Sequence, residues 1–78
     1  MEIKILGTGC PNCQRLETTT RNAVEELGID ANITKVEDIM KIMEYGIMRT
    51  PGLVINEKVV LSGKVPAKTE MIQLLTGI

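Results

Sequence analysis

The sequence predicts an α/β domain with element order β-α-β-α-β-β-α, in which a four-stranded mixed sheet carries helices on both faces. Two observations lead to this prediction. The first half of the chain alternates strand, helix and strand, which is typical of a βαβ unit with parallel strands and a right-handed crossover. The second half has two apolar runs separated by three polar residues, which indicates a hairpin, and then a final helix. With 78 residues, we expect one domain over residues 1–78.

The first strand and the first helix are separated by a short glycine-containing loop. Residues 2–6 alternate apolar and polar side chains and are rich in isoleucine, which predicts a strand that ends at Gly7. The helix begins near Pro11, because proline suits the first helical position, and Gly28 is a suitable C-terminal stop. Its inward stripe recurs at spacings of three and four residues: Leu16, Thr20, Ala23, Val24 and Leu27.

A second strand and a shorter helix are expected in the middle of the chain. Residues 31–36 alternate in polarity and predict the strand. Glu37 and Asp38 can open the helix, since acidic residues suit its positive end, and Gly46 can close it. The apolar side chains of this helix are expected to face the core: Ile39, Met40, Ile42 and Met43. We interpret Met40, Met43 and Met48 as core residues rather than a copper site.

The last part of the chain predicts a hairpin and a helix. The apolar runs at residues 53–55 and 59–61 form the two hairpin strands. Pro66 is expected at the first helical position, and Gly77 closes the helix. The side chains expected to face inward from this helix are Met71, Leu74 and Leu75, with Ile72 and Ile78.

Composition excludes several classes of function. Nine basic and ten acidic residues give a net charge of −1, which offers no electrostatic footprint for nucleic acid. Tyr45 is the only aromatic residue, so the chain lacks the set of aromatic side chains on which the bases of single-stranded nucleic acid stack. The apolar runs are too short to span a bilayer, and Met1 leads directly into the first strand without a signal-like region. The expected location is therefore the cytosol, where thiols are kept reduced.

The two cysteines lie in the segment Thr8-Gly9-Cys10-Pro11-Asn12-Cys13, at the junction of strand and helix. Two thiols at this spacing can open and close a disulfide, or they can bind a soft metal ion. A purely structural disulfide is disfavoured, because so small a loop removes little entropy from the unfolded chain. Disulfide exchange and metal binding therefore both stay open at this point.

If the pair is redox-active, the position of each cysteine predicts its role. Cys10 lies at the helix N-terminus, where unpaired backbone N–H groups and the helix dipole favour an anion and lower the pKa of the thiol. Cys13 follows one turn later and should be more enclosed, with the two Cα atoms within about 4.4–6.8 Å. We expect Cys10 to attack a substrate disulfide and Cys13 to resolve the mixed disulfide.

The strand, the Gly-Thr-Gly-Cys-Pro-Asn-Cys segment, the helix and Thr50-Pro51 before a later strand resemble the thioredoxin and glutaredoxin superfamily. Within it, the chain is similar to the small thioredoxin-like redox-active disulfide proteins of archaea and bacteria. The resemblance implies a minimal thioredoxin-like fold and a dithiol–disulfide oxidoreductase active in cell redox homeostasis and electron transport. It also implies a cis peptide at Pro51, which packs against the cysteines, and a Thr50 backbone that binds extended substrate. From sequence physics alone Pro51 would be trans, because only about 5–6% of X-Pro bonds are cis.

The same resemblance suggests partners and shows departures from the family pattern. Disulfide-containing proteins are the implied substrates, and a reductase such as a flavoprotein would return the electrons; no cofactor and no metal are expected, and nothing requires more than a monomer. Gly9 stands where thioredoxins usually carry Trp, and Lys4 stands where they carry a buried Asp. Residues 62–64 lack the Gly-Gly-acid pattern of glutaredoxins, so a glutathione site is not expected.

Two alternatives to an oxidoreductase come from the same motif. Gly-Thr-Gly-Cys-x-x-Cys resembles the loop of copper and zinc chaperones, but those proteins run β-α-β-β-α-β and end in a strand. A zinc site also needs four ligands, and the chain has no His and no third Cys. A redox-sensing binding module would share the motif and the fold, and turnover with a reductase would separate it from an enzyme. Arg49, beside Thr50, is interpreted as a solvated loop cation rather than a site residue.

Overall fold

The computed structural model describes residues 1–47 and 49–77, and the expectations for Met48 and Ile78 lie outside these residues. The predicted order of elements is confirmed. Strands and helices follow along the chain as β1 (Glu2–Leu6), α1 (Pro11–Leu27), β2 (Asn32–Val36), α2 (Ile39–Glu44), β3 (Gly52–Ile55), β4 (Lys58–Ser62) and α3 (Lys68–Thr76).

The strands form one mixed sheet in the order β2-β1-β3-β4. β1 and β2 are parallel, as the βαβ pattern predicts, whereas β1 pairs with β3 and β3 pairs with β4 in antiparallel orientation. Leu6, the last residue of β1, lies opposite Gly52, the first residue of β3. The segment after β1 and the segment before β3 therefore meet at one end of the sheet.

The hairpin between β3 and β4 closes at the other end of the sheet. Asn56 and Glu57 have φ values of 50° and 66°, so the turn has the left-handed backbone that matches the twist of hairpin strands. The side-chain oxygen of Asn56 accepts a hydrogen bond from the Glu2 N–H at 3.0 Å. The Glu57 carboxylate pairs with Lys4. Both side chains therefore fix the turn to β1.

The larger core lies between the sheet and helices α1 and α3. The predicted inward stripe of α1 is confirmed, since Leu16, Thr20 and Ala23 are fully buried and Val24 and Leu27 pack at the edge of the cluster. The Thr20 hydroxyl donates to the Leu16 carbonyl at 2.7 Å, which satisfies the one polar group in the stripe. Gly28 ends the helix in the left-handed conformation, with φ at 65°.

The opposite face of the sheet carries a smaller core of Leu6, Ile42 and Val54 beneath α2. The prediction that Met40 and Met43 face the core is wrong, because they are 69% and 65% exposed, and Ile39 is 59% exposed. Residues advance by about 100° around an α-helix, so Met40 and Met43 lie about 160° and 100° from Ile42, whereas Tyr45 lies only about 60° from it. Tyr45 packs against the small core and accepts a hydrogen bond from Lys4 Nζ at 2.9 Å. The side that carries Ile42 and Tyr45 therefore faces the sheet.

Several predicted boundaries shift slightly in the structure, including the start of β4, which lies at Lys58 rather than at residue 59. α3 begins at Lys68 after the N-cap residue Ala67, so Pro66 lies before the helix rather than at its first position. β2 begins at Asn32, where it pairs with Glu2, rather than at Ala31. The inward face of α3 agrees with the prediction: Met71 and Leu75 are buried, and Ile72 and Leu74 pack against the same core.

Candidate active site

Cys10 and Cys13 form a disulfide at the N-terminus of α1. Their Cα atoms are 5.0 Å apart, within the range predicted from the spacing. β1 ends at Leu6 and α1 begins at Pro11, so a loop of only four residues connects them. The N-terminus of α1, with the cysteine pair, therefore lies at the end of the sheet. The arrangement can store two electrons as thiols and release them by forming this bond.

Cys10 occupies the N-cap position of α1. Its backbone is extended, with φ −66° and ψ 163°, and its Sγ accepts a hydrogen bond from the Cys13 N–H at an N–S distance of 3.1 Å. The Cys10 carbonyl accepts the first helical bond, from the Gln14 N–H at 3.0 Å. Pro11 at the first helical position has no N–H of its own. The Cys10 sulfur thus receives an N–H donor at the positive end of a helix.

Cys13 lies one turn further along α1 and is only 5% exposed. Its sulfur rests against the backbone of Gly7, where any added Cβ would overlap Cys13 Sγ and stand 3.1 Å from Cys13 Cβ. Gly7 is itself buried and donates its N–H to the Val36 carbonyl at 3.0 Å. We expected Gly7 only to end β1, and no sequence signal shows that it makes room for the sulfur.

A small cavity of about 60 Å³ adjoins Cys13. Among its lining side chains are Glu17, Lys35 and Glu37. The Glu17 carboxylate lies 2.9 Å from Arg21 Nη2 and 3.5 Å from Lys35 Nζ. The hydrogen bond from Arg21 holds the pKa of Glu17 below its ordinary value, with a further contribution from the charge of Lys35. A negative charge therefore persists beside the cavity at neutral pH.

Thr50 and Pro51 lie at the same end of the sheet as the cysteines. The Thr50–Pro51 peptide is cis, as the family resemblance implies and contrary to the odds for an arbitrary X-Pro bond. Pro51 is buried and its carbonyl accepts a hydrogen bond from the Gly63 N–H at 2.8 Å, whereas Thr50 is exposed. Arg49 packs over Gly63, since a Cβ on that glycine would lie 3.0 Å from Arg49 Cβ. The end of β4 therefore supports the Pro51 loop.

Lys4 belongs to a different environment from the cysteines. Its ammonium donates to the Tyr45 hydroxyl at 2.9 Å and to the Glu57 carboxylate, on the side of the sheet that carries α2. The hydrogen bond to Glu57 raises the pKa of Lys4 most, and the one to Tyr45 raises it further. The hydrogen bond from Lys4 also lowers the pKa of Glu57. The cavity beside Cys13 is lined instead by Ile5, the next residue of β1. Lys4 is partly buried, and its ion pair with Glu57 ties β1 to the hairpin turn.

Within residues 1–47 and 49–77, no group of three or more His, Cys, Asp or Glu side chains is arranged to hold a metal ion. In the same part of the chain, none of the helices has the length and apolar character needed to cross a membrane. The hairpin comes late and α3 follows it, which departs from the β-α-β-β-α-β order of the metal chaperones considered above.

Comparison with protein families matches residues 1–76 to the family described as the thioredoxin domain. A curated protein named thioredoxin, from Methanothermobacter thermautotrophicus, is 43% identical over 76 residues, which cover 97% of this chain and 99% of the relative. Another protein of that name, from Methanocaldococcus jannaschii, is 45% identical over 69 residues, covering 88% of this chain and 79% of the relative. The family match thus extends from β1 to α3.

Proposed function

The chain belongs to the thioredoxin family and is a thioredoxin-like oxidoreductase, and we propose that it reduces or exchanges disulfides of protein partners through Cys-Pro-Asn-Cys. One observation supports this assignment above the others. The Cys10 sulfur accepts a backbone N–H at the start of α1, while Cys13 is almost completely buried one turn away. This difference supports the proposal that Cys10 attacks the substrate disulfide and that Cys13 attacks only the Cys10 sulfur.

In the reduced protein, the Cys10 thiolate attacks one sulfur of a substrate disulfide. The substrate S–S bond breaks, a mixed disulfide forms on Cys10, and the departing substrate thiolate takes a proton from solvent. Cys13 then loses its proton and attacks the Cys10 sulfur. The mixed disulfide breaks, the second substrate sulfur leaves as a thiol, and the Cys10–Cys13 disulfide forms. Two electrons have passed to the substrate, and both electrons came from the two sulfurs.

Thr50 and Pro51 form the proposed binding site for the substrate backbone. They lie at the sheet end where α1 begins, Thr50 is exposed, and the Pro51 carbonyl is anchored by Gly63. An extended segment that adds to the Thr50 backbone would be bound through main-chain hydrogen bonds. Such binding is largely indifferent to side chains, which suits an enzyme that acts on many proteins.

The proposed cycle needs a reductase partner, such as a flavoprotein, which returns two electrons and two protons to the Cys10–Cys13 disulfide. Disulfide-containing proteins are the proposed substrates, and the chain itself needs no organic cofactor. We place the cycle in the cytosol, where the reducing thiol pool keeps the dithiol form available. One copy of the chain supplies both sulfurs, so a monomer suffices.

The test is reduction of a protein disulfide, with insulin as substrate and a small dithiol as electron donor. We expect the wild-type protein to accelerate reduction well above the dithiol alone and the Cys10→Ser variant to give no acceleration. Lys58→Gln, at the hairpin end of the sheet, is the control and should match the wild type. A wild-type rate equal to that of the dithiol alone would remove the proposed reductase function.

A further inference from the structure

A broad groove runs along α1, beginning at Pro11, the residue after Cys10. It has a volume of about 790 Å³ and is bounded on one side by α1 from Pro11 to Thr19 and on the other by residues 65–67. Pro11, at one end of the groove, directly follows Cys10 in the chain, and Cys10 carries the sulfur that we propose attacks the substrate.

The groove carries a positive charge in a chain whose net charge is −1. Arg15 is the one charged side chain among the described residues that line it, and the others are neutral. The Arg15 guanidinium donates to the amide oxygen of Asn12 at 3.3 Å, a neutral partner that leaves the charge uncompensated. Lys64 immediately precedes the far wall, whereas Glu70 lies in the first turn of α3 and is not part of the lining.

We propose that this groove binds the substrate segment next to the target disulfide and that Arg15 favours substrates with an acidic residue there. The inference rests on the proposed function, since only a substrate bonded to Cys10 would bring its flanking residues to the groove. Gln14, Thr18 and Thr19 add neutral hydrogen-bonding groups along the same wall. Main-chain binding at Thr50 would then supply general affinity, and Arg15 would supply a preference among substrates.

The expected preference is modest, because an exposed ion pair contributes little in water. About 0.2–1 kcal/mol for such a pair corresponds to a change of up to about fivefold in rate. It should also weaken at high salt, where the Debye length falls to about 3 Å at 1 M. These two features, a small ratio and a salt dependence, distinguish a charge preference from a change in the chemistry of the cysteines.

The experiment uses three disulfide peptides that are identical except for Asp, Asn or Lys beside the cysteine. Each is mixed with pre-reduced protein in a single turnover, and each rate is divided by the rate of the same peptide with a small neutral dithiol. For the wild type we expect Asp to exceed Asn by about two- to fivefold and Lys to be slowest. Arg15→Gln should abolish the ratio, Arg15→Glu should invert it, and Lys58→Gln should preserve it.

The outcomes separate the two proposals. If the wild type reduces all three peptides at equal normalised rates, the groove assignment is overturned and the reductase function stands. A preference for Asp that persists in Arg15→Gln, or that disappears in Arg49→Gln instead, also overturns the role of Arg15. If the wild type reduces none of the peptides, the reductase function is overturned and the groove assignment with it.

Discussion

Cys10 and Cys13 are bonded to each other in one turn of α1, yet their surroundings differ in nearly every respect. Cys10 caps the helix, is half-exposed and accepts the Cys13 N–H. Cys13 is 5% exposed, lies against Gly7 and adjoins a cavity beside which the Glu17 carboxylate stays charged. Backbone N–H donors and the helix dipole favour a thiolate at the first position, whereas burial and a nearby carboxylate favour a neutral thiol at the second. From these different surroundings we expect two identical side chains to differ in their chemistry.

The largest expected effect is a difference between the two single-cysteine variants in how much substrate protein each traps as a mixed disulfide. Cys13→Ser should accumulate mixed disulfides with substrate proteins on Cys10, because the step that resolves them is lost. Cys10→Ser should trap at least about tenfold less, since each unit of pKa changes the thiolate fraction about tenfold. The measurement is the yield of trapped substrate on non-reducing gels. Trapping through Cys13 in the Cys10→Ser variant would reverse the proposed roles.

A smaller effect is expected from Gly7→Ala, which removes the space that the Cys13 sulfur occupies. Overpacking at a buried site should lower the free energy of unfolding by about 1–3 kcal/mol, measured by denaturant titration. The displaced sulfur should also slow resolution of a mixed disulfide, measured by stopped-flow kinetics. Gly28→Ala is the control, because it strains the left-handed C-cap of α1 at the end of the helix away from the sulfurs. Equal resolution rates in the two variants would show that Gly7 does not position Cys13.

The smallest expected effect comes from Glu17→Gln, tested in the Cys10→Ser background. Removing this carboxylate should slightly lower the pKa of the Cys13 thiol. A negative charge that opposes the thiolate is lost, and Lys35 is released from its pairing with Glu17. The thiolate is followed by its ultraviolet absorbance as pH rises. Glu26→Gln, which removes a carboxylate paired with Lys68, is the matched control. A raised Cys13 pKa, or an equal shift in the control, would contradict the assignment.

The lowered pKa of Glu17 also sets the sign of its pH effect on stability. A carboxyl group whose pKa is lower in the folded than in the unfolded protein stabilises the fold above the unfolded value, near about 4.3. That contribution should be lost as the pH falls through the folded pKa. The stability difference between wild type and Glu17→Gln should therefore be constant at neutral pH and shrink only in acid.

The elements of the fold could be predicted where one side of a segment is clearly apolar. α1 has a long stripe at helical spacing, and Leu16, Thr20 and Ala23 are buried as expected. The prediction of the inward face of α2 was wrong, because four of the six residues of this helix are apolar and the sequence does not distinguish the side that faces the sheet. Contacts with distant residues decide it: Ile42 packs beneath the sheet and Tyr45 bonds to Lys4. Met40 and Met43 are consequently left exposed.

Some residues of the site could likewise be predicted from the sequence, and others could not. Cys10 and Cys13 were predictable because their spacing and the strand-to-helix junction are local features. The cis peptide at Pro51 followed from family resemblance and not from local physics. Gly7 and Glu17 were missed, because their meaning depends on where α1 packs against β1 and β2. The groove with Arg15 likewise exists only once α1 lies beside the segment that precedes α3.

The difference between the two cysteines is tested most directly by alkylating the reduced wild-type protein across a pH range, with mass spectrometry to assign each modified sulfur. We expect Cys10 to react first, with a midpoint below the ordinary thiol pKa of about 8.5, and Cys13 to react more slowly and at higher pH. A Cys10 midpoint at or above about 8.5, or a Cys13 midpoint below that of Cys10, would contradict the proposed roles.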